Sequence, residues 1–240
     1  MSFSKRLKRI PETNGILHTG VPEADKILND LDGHPHAFLL GVIGDRQMRA
    51  DRSWLIPWKI FNQIGSTDFR SLETLTPNRW KRIFLGPPSL HRFPEDVSQA
   101  YYSAVKMVSE KYNRNASNIW TGNPASAELV SRFLEFDGIG PKLATMAVNL
   151  LATRLNVPLA DYYSVDISAD LHVRRVFSRL GLVPERATTD QIIYRARALN
   201  PRFPGALDRP AFEVGRRWCR PKKPLCTECV LESVCPSKLG

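Results

Sequence analysis

The chain contains only four cysteines, Cys219, Cys226, Cys229 and Cys235, and they follow the spacing C-x6-C-x2-C-x5-C. Thiolates gathered this densely bind zinc or an iron–sulfur cluster. Structural zinc sites usually pair two close C-x2-C-like turns, and here only the middle pair is that close. The spacing therefore favours a [4Fe-4S] cubane over zinc. It also speaks for a local metal site rather than a disulfide framework. The first gap holds Arg220, Lys222 and Lys223, braced by Pro221 and Pro224. A stiff basic loop of this kind suits a phosphate clamp.

A second concentration lies at Gly138-Ile139-Gly140-Pro141-Lys142. Leu129, Val130, Phe133 and Leu134 precede it at helical spacing, and Leu143, Met146, Ala147, Leu150 and Leu151 follow it in the same way. Two glycines one residue apart permit a very short turn, and Pro141 suits the first position of a second helix. The unpaired N–H groups of that helix start would face an anion such as a DNA phosphate. A plain packing hairpin is the alternative reading.

Asp170 opens Leu171-His172-Val173-Arg174-Arg175-Val176-Phe177, which reads as a helix ending near Gly181. The carboxylate either caps that helix or does chemistry at its N-terminus. Arg46, Arg49 and Arg52 are expected on one face of a helix running on from a buried segment at 37–43. That face is either solvated or enters DNA where a base has been removed, with Gln47 as the best single candidate. Leu90 or Phe93, on the stiff loop 86–94, could wedge between bases or tuck into the core.

The elements that must position these residues are all helical. Helices are expected over 16–31, 71–85 with Trp80, 95–112, the hairpin 133–151, 188–199 and 210–218. Residues 156–169 form a connector. No alternating strand pattern appears. With 240 residues and 42% hydrophobic content, the chain can bury a substantial core. The balance of 34 Lys+Arg against 24 Asp+Glu gives +10 and a pI near 9.7. That favours a polyanionic partner. No apolar run of about 18 residues exists, so no membrane span is expected. The basic start at Met1 to Arg9 lacks a following apolar stretch, so no signal peptide is expected either.

Three of these segments together resemble the endonuclease III family of iron–sulfur DNA glycosylases, within the helix-hairpin-helix superfamily. They are the hairpin with Lys142 and Ala144; Asp170 with His172, Arg175, Val176 and Arg179; and Gly215 with the cysteine run. The residues flanking Asp170 are Ala169 and Leu171, where the family usually has Val and Thr. This departure bears on which base is recognised. The resemblance implies an all-α fold of two helical lobes with a DNA groove between them. Residues 36–148 would form a helical barrel with the hairpin. Residues 1–35 and 149–240 would form a cluster lobe whose C-terminal loop, 219–235, holds a [4Fe-4S] cluster. It further implies a DNA repair glycosylase, acting as a monomer on lesion-containing double-stranded DNA. The setting would be intracellular: cytoplasmic and nucleoid-associated in a prokaryote.

In that role the nucleotide is flipped into a pocket. Asp170 steadies the positive charge developing on the sugar. Lys142 attacks the sugar carbon, forming a Schiff base, and β-elimination then nicks the strand. Gly138, Ile139, Gly140, Gln47, Arg46, Leu90, Arg220, Lys222 and Lys223 would contact DNA. Lys142 could instead only touch phosphate, and Asp166 is a rival to Asp170. A monofunctional glycosylase and a non-catalytic damage-binding module are the alternative functions.

Overall fold

The computed structural model describes residues 17–237. The described residues contain α-helices and short 3-10 turns but no strand, as expected. They divide into two units. The first comprises residues 17–124 and 128–158, and the second 125–127 and 159–237.

The first unit is built on a helix that is buried all round, α2 (Pro35–Gly44). Its apolar run leaves no polar face, so other helices must surround it. Helices α1 (Pro22–Asn29), α4 (Ile56–Ile64) and α7 (Pro94–Lys111) pack against it. The short α3 (Ala50–Ser53), α5 (Phe69–Glu73) and α6 (Pro77–Leu85) complete that side. The hairpin follows as α8 (Ser126–Leu134) and α9 (Pro141–Thr153). Its core is aromatic: Trp120 stacks on Phe133, with ring centroids 6.4 Å apart, and meets Phe38 of α2 edge-on.

Two expected helices are interrupted. The helix expected to continue through Trp54 stops at Gly44. The chain then folds back so that Trp54 covers Gly41, where a Cβ would lie 2.5 Å from the indole. Arg46, Arg49 and Arg52 therefore share no helical face: Arg46 and Gln47 lie in the turn, and Arg49 precedes α3. The helix expected over 71–85 is α5 and α6, broken at Thr74–Thr76. A residue before proline is pushed out of the helical region, and Thr76, extended at ψ 158, instead caps α6 by accepting from the Arg79 N–H. The N-terminal helix is shorter than 16–31, and Ile16 lies outside the described residues. Here Asn29 ties back to the Leu17 backbone, and Asp25 to the Thr19 N–H and hydroxyl.

In the second unit α10 (Leu171–Arg179), α11 (Thr189–Leu199) and α12 (Asp208–Arg217) enclose Val173, Val176, Phe177, Ile192, Ala196, Ala211 and Val214. A complete capping box, Thr188 with Gln191, starts α11. Gly215 lets α12 approach α10 closely, because a Cβ there would meet His172 Cβ at 2.7 Å. The unit boundaries differ from the expected lobes. Residues 17–35 and 149–158 go with the hairpin unit, because Ala24 and Leu28 bury beside α2 and α9 runs unbroken to Thr153. Residues 1–16 lie outside the described residues.

Candidate functional site

The hairpin turn is shaped by Gly138 at φ +84, a left-handed value that favours glycine. The turn packs inward: a Cβ on Gly138 would sit 3.4 Å from Ala100 and 3.6 Å from Ile43. Ile139 is 5% exposed and its N–H donates to the Phe136 carbonyl at 3.0 Å. Ile139 thus plugs the core, and the expectation that it contacts DNA is corrected. What faces outward is the stretch Gly140-Pro141-Lys142, all exposed. Gly140 caps α9 with extended backbone, Pro141 is its first residue, and Lys142 stands on the first turn. The first N–H groups of such a helix have no partner within it.

Beside the hairpin, in the same unit, lies a carboxyl that sequence reasoning missed. Asp45 caps the C-terminus of α2 and accepts a hydrogen bond from the Ser53 hydroxyl at 2.7 Å. Burial raises its pKa to about 6, against the lowering effects of the Ser53 hydroxyl and the Lys142 charge. His91, 4% exposed, accepts from the Phe93 N–H through Nδ1 at 2.9 Å. Its Nε2 is buried without a hydrogen-bond partner among the described residues, and burial holds the ring below the usual imidazole value. The available signal was that Asp45 is the first charge after a long apolar run.

The other sequence candidates here fare unevenly. Arg46 is exposed, lies over the Phe93 ring at 5.8 Å, and lines an open cavity of about 510 Å³ with Lys81, Asp96, Asp137 and Gly138. Gln47 is exposed at φ 54. Leu90 is 8% exposed, with its N–H bonded to the Phe84 carbonyl, so it belongs to the core and not to a wedge. Arg49 pairs with Asp51 through two hydrogen bonds of 3.0 Å.

In the second unit Asp170 caps α10, its Oδ1 accepting from the Val173 N–H at 2.8 Å. Its other oxygen has no partner among the described residues. The rival Asp166 is fully engaged, since both oxygens accept from Arg197, at 2.8 and 2.7 Å. Helix α10 also organises the cysteine loop. Arg175 Nε donates to the Cys219 carbonyl at 2.6 Å and Nη2 to the Gly215 carbonyl at 2.8 Å. Arg179 donates to the Arg220 and Pro221 carbonyls. The same helix thus carries the Asp170 cap and clamps the loop.

All four cysteine side chains line one cavity, with Trp218 and Leu225 as apolar neighbours. Burial, and then the thiols of Cys219, Cys235 and Cys226, push the Cys229 thiol up. Among the described residues no three His, Cys, Asp or Glu side chains close tightly enough to hold a single metal ion. Arg220, Lys222 and Lys223 are exposed on this loop, Lys223 at φ 51.

No protein-family model matches the chain. It is 27% identical over 178 residues to the endonuclease III of Thermotoga maritima, covering 69% of this chain and 76% of that one. A trapped endonuclease III–DNA covalent intermediate superimposes with a TM-score of 0.62 at 17% identity, covering 99% and 97% of the two chains. A thermostable thymine-DNA glycosylase does so with a TM-score of 0.62 at 12% identity, covering 98% and 92%. The chain thus shares the helix-hairpin-helix DNA glycosylase fold, and endonuclease III proteins are among its relatives.

Proposed function

We propose that this chain is a DNA glycosylase with an associated AP lyase activity, excising a base from lesion-containing duplex DNA. Two groups, one in each unit, carry the reading. Lys142 stands exposed on the first turn of the hairpin's second helix, and Asp170 keeps one carboxylate oxygen free after capping α10. The similarity to endonuclease III supports the glycosylase class.

In this reading the exposed Gly140-Pro141-Lys142 stretch anchors the DNA backbone. Arg220, Lys222 and Lys223 neutralise phosphates without reading sequence. The target nucleotide leaves the stack. As the glycosidic bond breaks, positive charge grows on the sugar, and the free oxygen of Asp170 stabilises it. The neutral amine of Lys142 bonds to C1′, and the resulting Schiff base permits β-elimination. Cys219, Cys226, Cys229 and Cys235 would hold a [4Fe-4S] cluster. That group supplies a cross-link that fixes the loop carrying Lys222 and Lys223. A cationic group among four thiolates would stabilise the deprotonated loop.

The test is a panel of duplexes, each with one lesion, scored separately for base release and strand cleavage, with borohydride trapping of wild type and Lys142→Ala. Base release with strand cleavage, and trapping lost in Lys142→Ala, is the expected outcome. Base release without cleavage would make the enzyme monofunctional. Tight lesion binding with neither reaction would make it a binding module.

A further inference from the structure

The loop between α6 and α7 gathers positive charge on one ring. Arg46, from the turn after α2, and Arg92, from the loop itself, both lie over Phe93, with Cζ atoms 5.8 and 5.3 Å from the ring centroid. Both are exposed. Other cations of this region are paired, Arg49 with Asp51 at 3.0 Å and Lys81 with Glu95 at 3.1 Å. Neither Arg46 nor Arg92 has an ion-pair partner among the described residues; Asp96 and Asp137 line a cavity with Arg46 without pairing with it. Two guanidiniums on one ring repel each other, and the attraction of the aromatic face offsets only part of that. The ring is fixed from behind. The Phe93 N–H donates to Nδ1 of the buried His91 at 2.9 Å, and the two ring centroids are 6.0 Å apart. The Ser89 hydroxyl donates to the Phe84 and His91 carbonyls, at 3.1 and 2.9 Å. Phe93 is half-buried and directly precedes Pro94, the first residue of the 18-residue α7. Little ordering is therefore left to be done when a partner binds.

We propose that Phe93 is the hub of a phosphate clamp, holding Arg46 and Arg92 together for one stretch of DNA backbone. This deepens the reading that the chain acts on duplex DNA and rests on it. A guanidinium presents a planar fork of donors that matches phosphate oxygens. Such contacts fix a protein on the duplex without reading its bases. A phosphate also removes the conflict between two like charges on one ring. Phe93 thereby serves the backbone and not a gap between bases, since a ring engaged by two guanidiniums is not free to slide into the stack. Leu90, the other apolar residue of this loop, is spent on the core. Gly138 of the hairpin turn lines the same cavity as Arg46. The clamp thus stands beside the hairpin, whose exposed Gly140-Pro141-Lys142 stretch grips backbone in the proposed reaction. Two grips in one unit hold the duplex more firmly in register than either alone.

The experiment is a fluorescence anisotropy titration of two labelled duplexes, one undamaged and one with a stable abasic analogue, over a range of salt. Arg46→Ala and Arg92→Ala should each weaken both duplexes alike and flatten the salt slope by about one phosphate contact. Their losses should combine to less than the full sum, because both grip the same stretch. Phe93→Leu changes no charge, yet it should weaken both duplexes about fivefold, and Arg46→Ala should then cost less than in wild type. Phe93→Tyr keeps the ring and should bind as wild type does. Where Phe93→Leu melts below the binding temperature, the arginine pair alone decides. Phe93→Leu that weakens only the abasic duplex, with undamaged binding and its salt slope kept, makes Phe93 a wedge and overturns the clamp. Fully additive arginine losses overturn it as well. A wild-type protein that binds neither duplex removes the clamp together with the DNA reading. A wild-type protein that binds both but releases no base fails the proposed reaction, and the clamp still stands if the variants behave as stated.

Discussion

Asp166 and Asp170 are four residues apart, yet their surroundings engage them differently. Asp166 spends both oxygens on Arg197, whereas Asp170 spends one on the Val173 N–H. Asp170→Asn keeps the cap, because Asn caps a helix about as well as Asp. Its melting temperature should match wild type. Base release should fall about a hundredfold, roughly 3 kcal/mol of barrier stabilisation. Asp166→Asn should do the reverse. It should cost about 1 kcal/mol of stability, at the low end of such losses because Arg197 is 41% exposed, and leave base release near normal. Single-turnover base release and thermal melting on both variants check the contrast. Near-normal release by a folded Asp170→Asn protein would move the catalytic assignment elsewhere.

At the scale of elements, one close approach joins α12 to α10. Gly215→Ala places a Cβ 2.7 Å from His172 Cβ and 3.0 Å from its Cα. Backbone cannot yield as a flexible side chain can, so α12 must shift from α10, at a cost of about 1–3 kcal/mol. Because α10 carries both the Asp170 cap and the arginines clamping the cysteine loop, base release should suffer as well. A Gly215→Ala protein with wild-type melting would show that the helices are not in such contact. The loop itself should carry a cluster. Protein purified without oxygen should be brown and contain iron and acid-labile sulfide, both lost in Cys229→Ser. A colourless protein with one zinc per chain would assign the four thiols to zinc instead.

Over the whole molecule, the buried His36 and the half-buried Asp45 set opposed dependences on acid. His36 donates through Nε2 to the Thr67 carbonyl at 2.8 Å, and burial lowers its pKa from 6.5 to about 4. The unfolded chain takes that proton first, so stability is lost as pH falls from 6.5 towards 4. Asp45 runs the other way. Its pKa is raised from 3.8 to about 6, so the stability it contributes is full below 3.8 and lost as pH rises through 6. Between about 4 and 6 the two offset each other. Asp45→Asn should therefore melt higher than wild type at neutral pH and lose stability more steeply on acidification through that window. Melting curves that stay parallel across it would remove Asp45 from the balance.

Periodicity, glycine spacing and cysteine spacing are local properties. They made the helical class, the hairpin at 133–151 and the cysteine loop readable from the residues alone. The helix through 188–199 was readable for the same reason, because its cap lies within its own first turn. What escaped the sequence depended on residues far apart in the chain. α2 stops at Gly44 because Trp54 returns to cover Gly41 and the Tyr101 hydroxyl reaches the Leu40 carbonyl. That stop turns an expected arginine face into a tight turn and leaves Asp45 half-buried at its start. Leu90 and Ile139 look like exposed tips in a linear reading, yet both fill space that the core leaves open. The spacing of Arg175 and Val176 behind Asp170 already favours it over Asp166 in the sequence, and only the structure shows that Arg197, on α11, engages both oxygens of the rival. Spacing along the chain decides which helices form, whereas burial and pairing across it decide which carboxyl remains free to react.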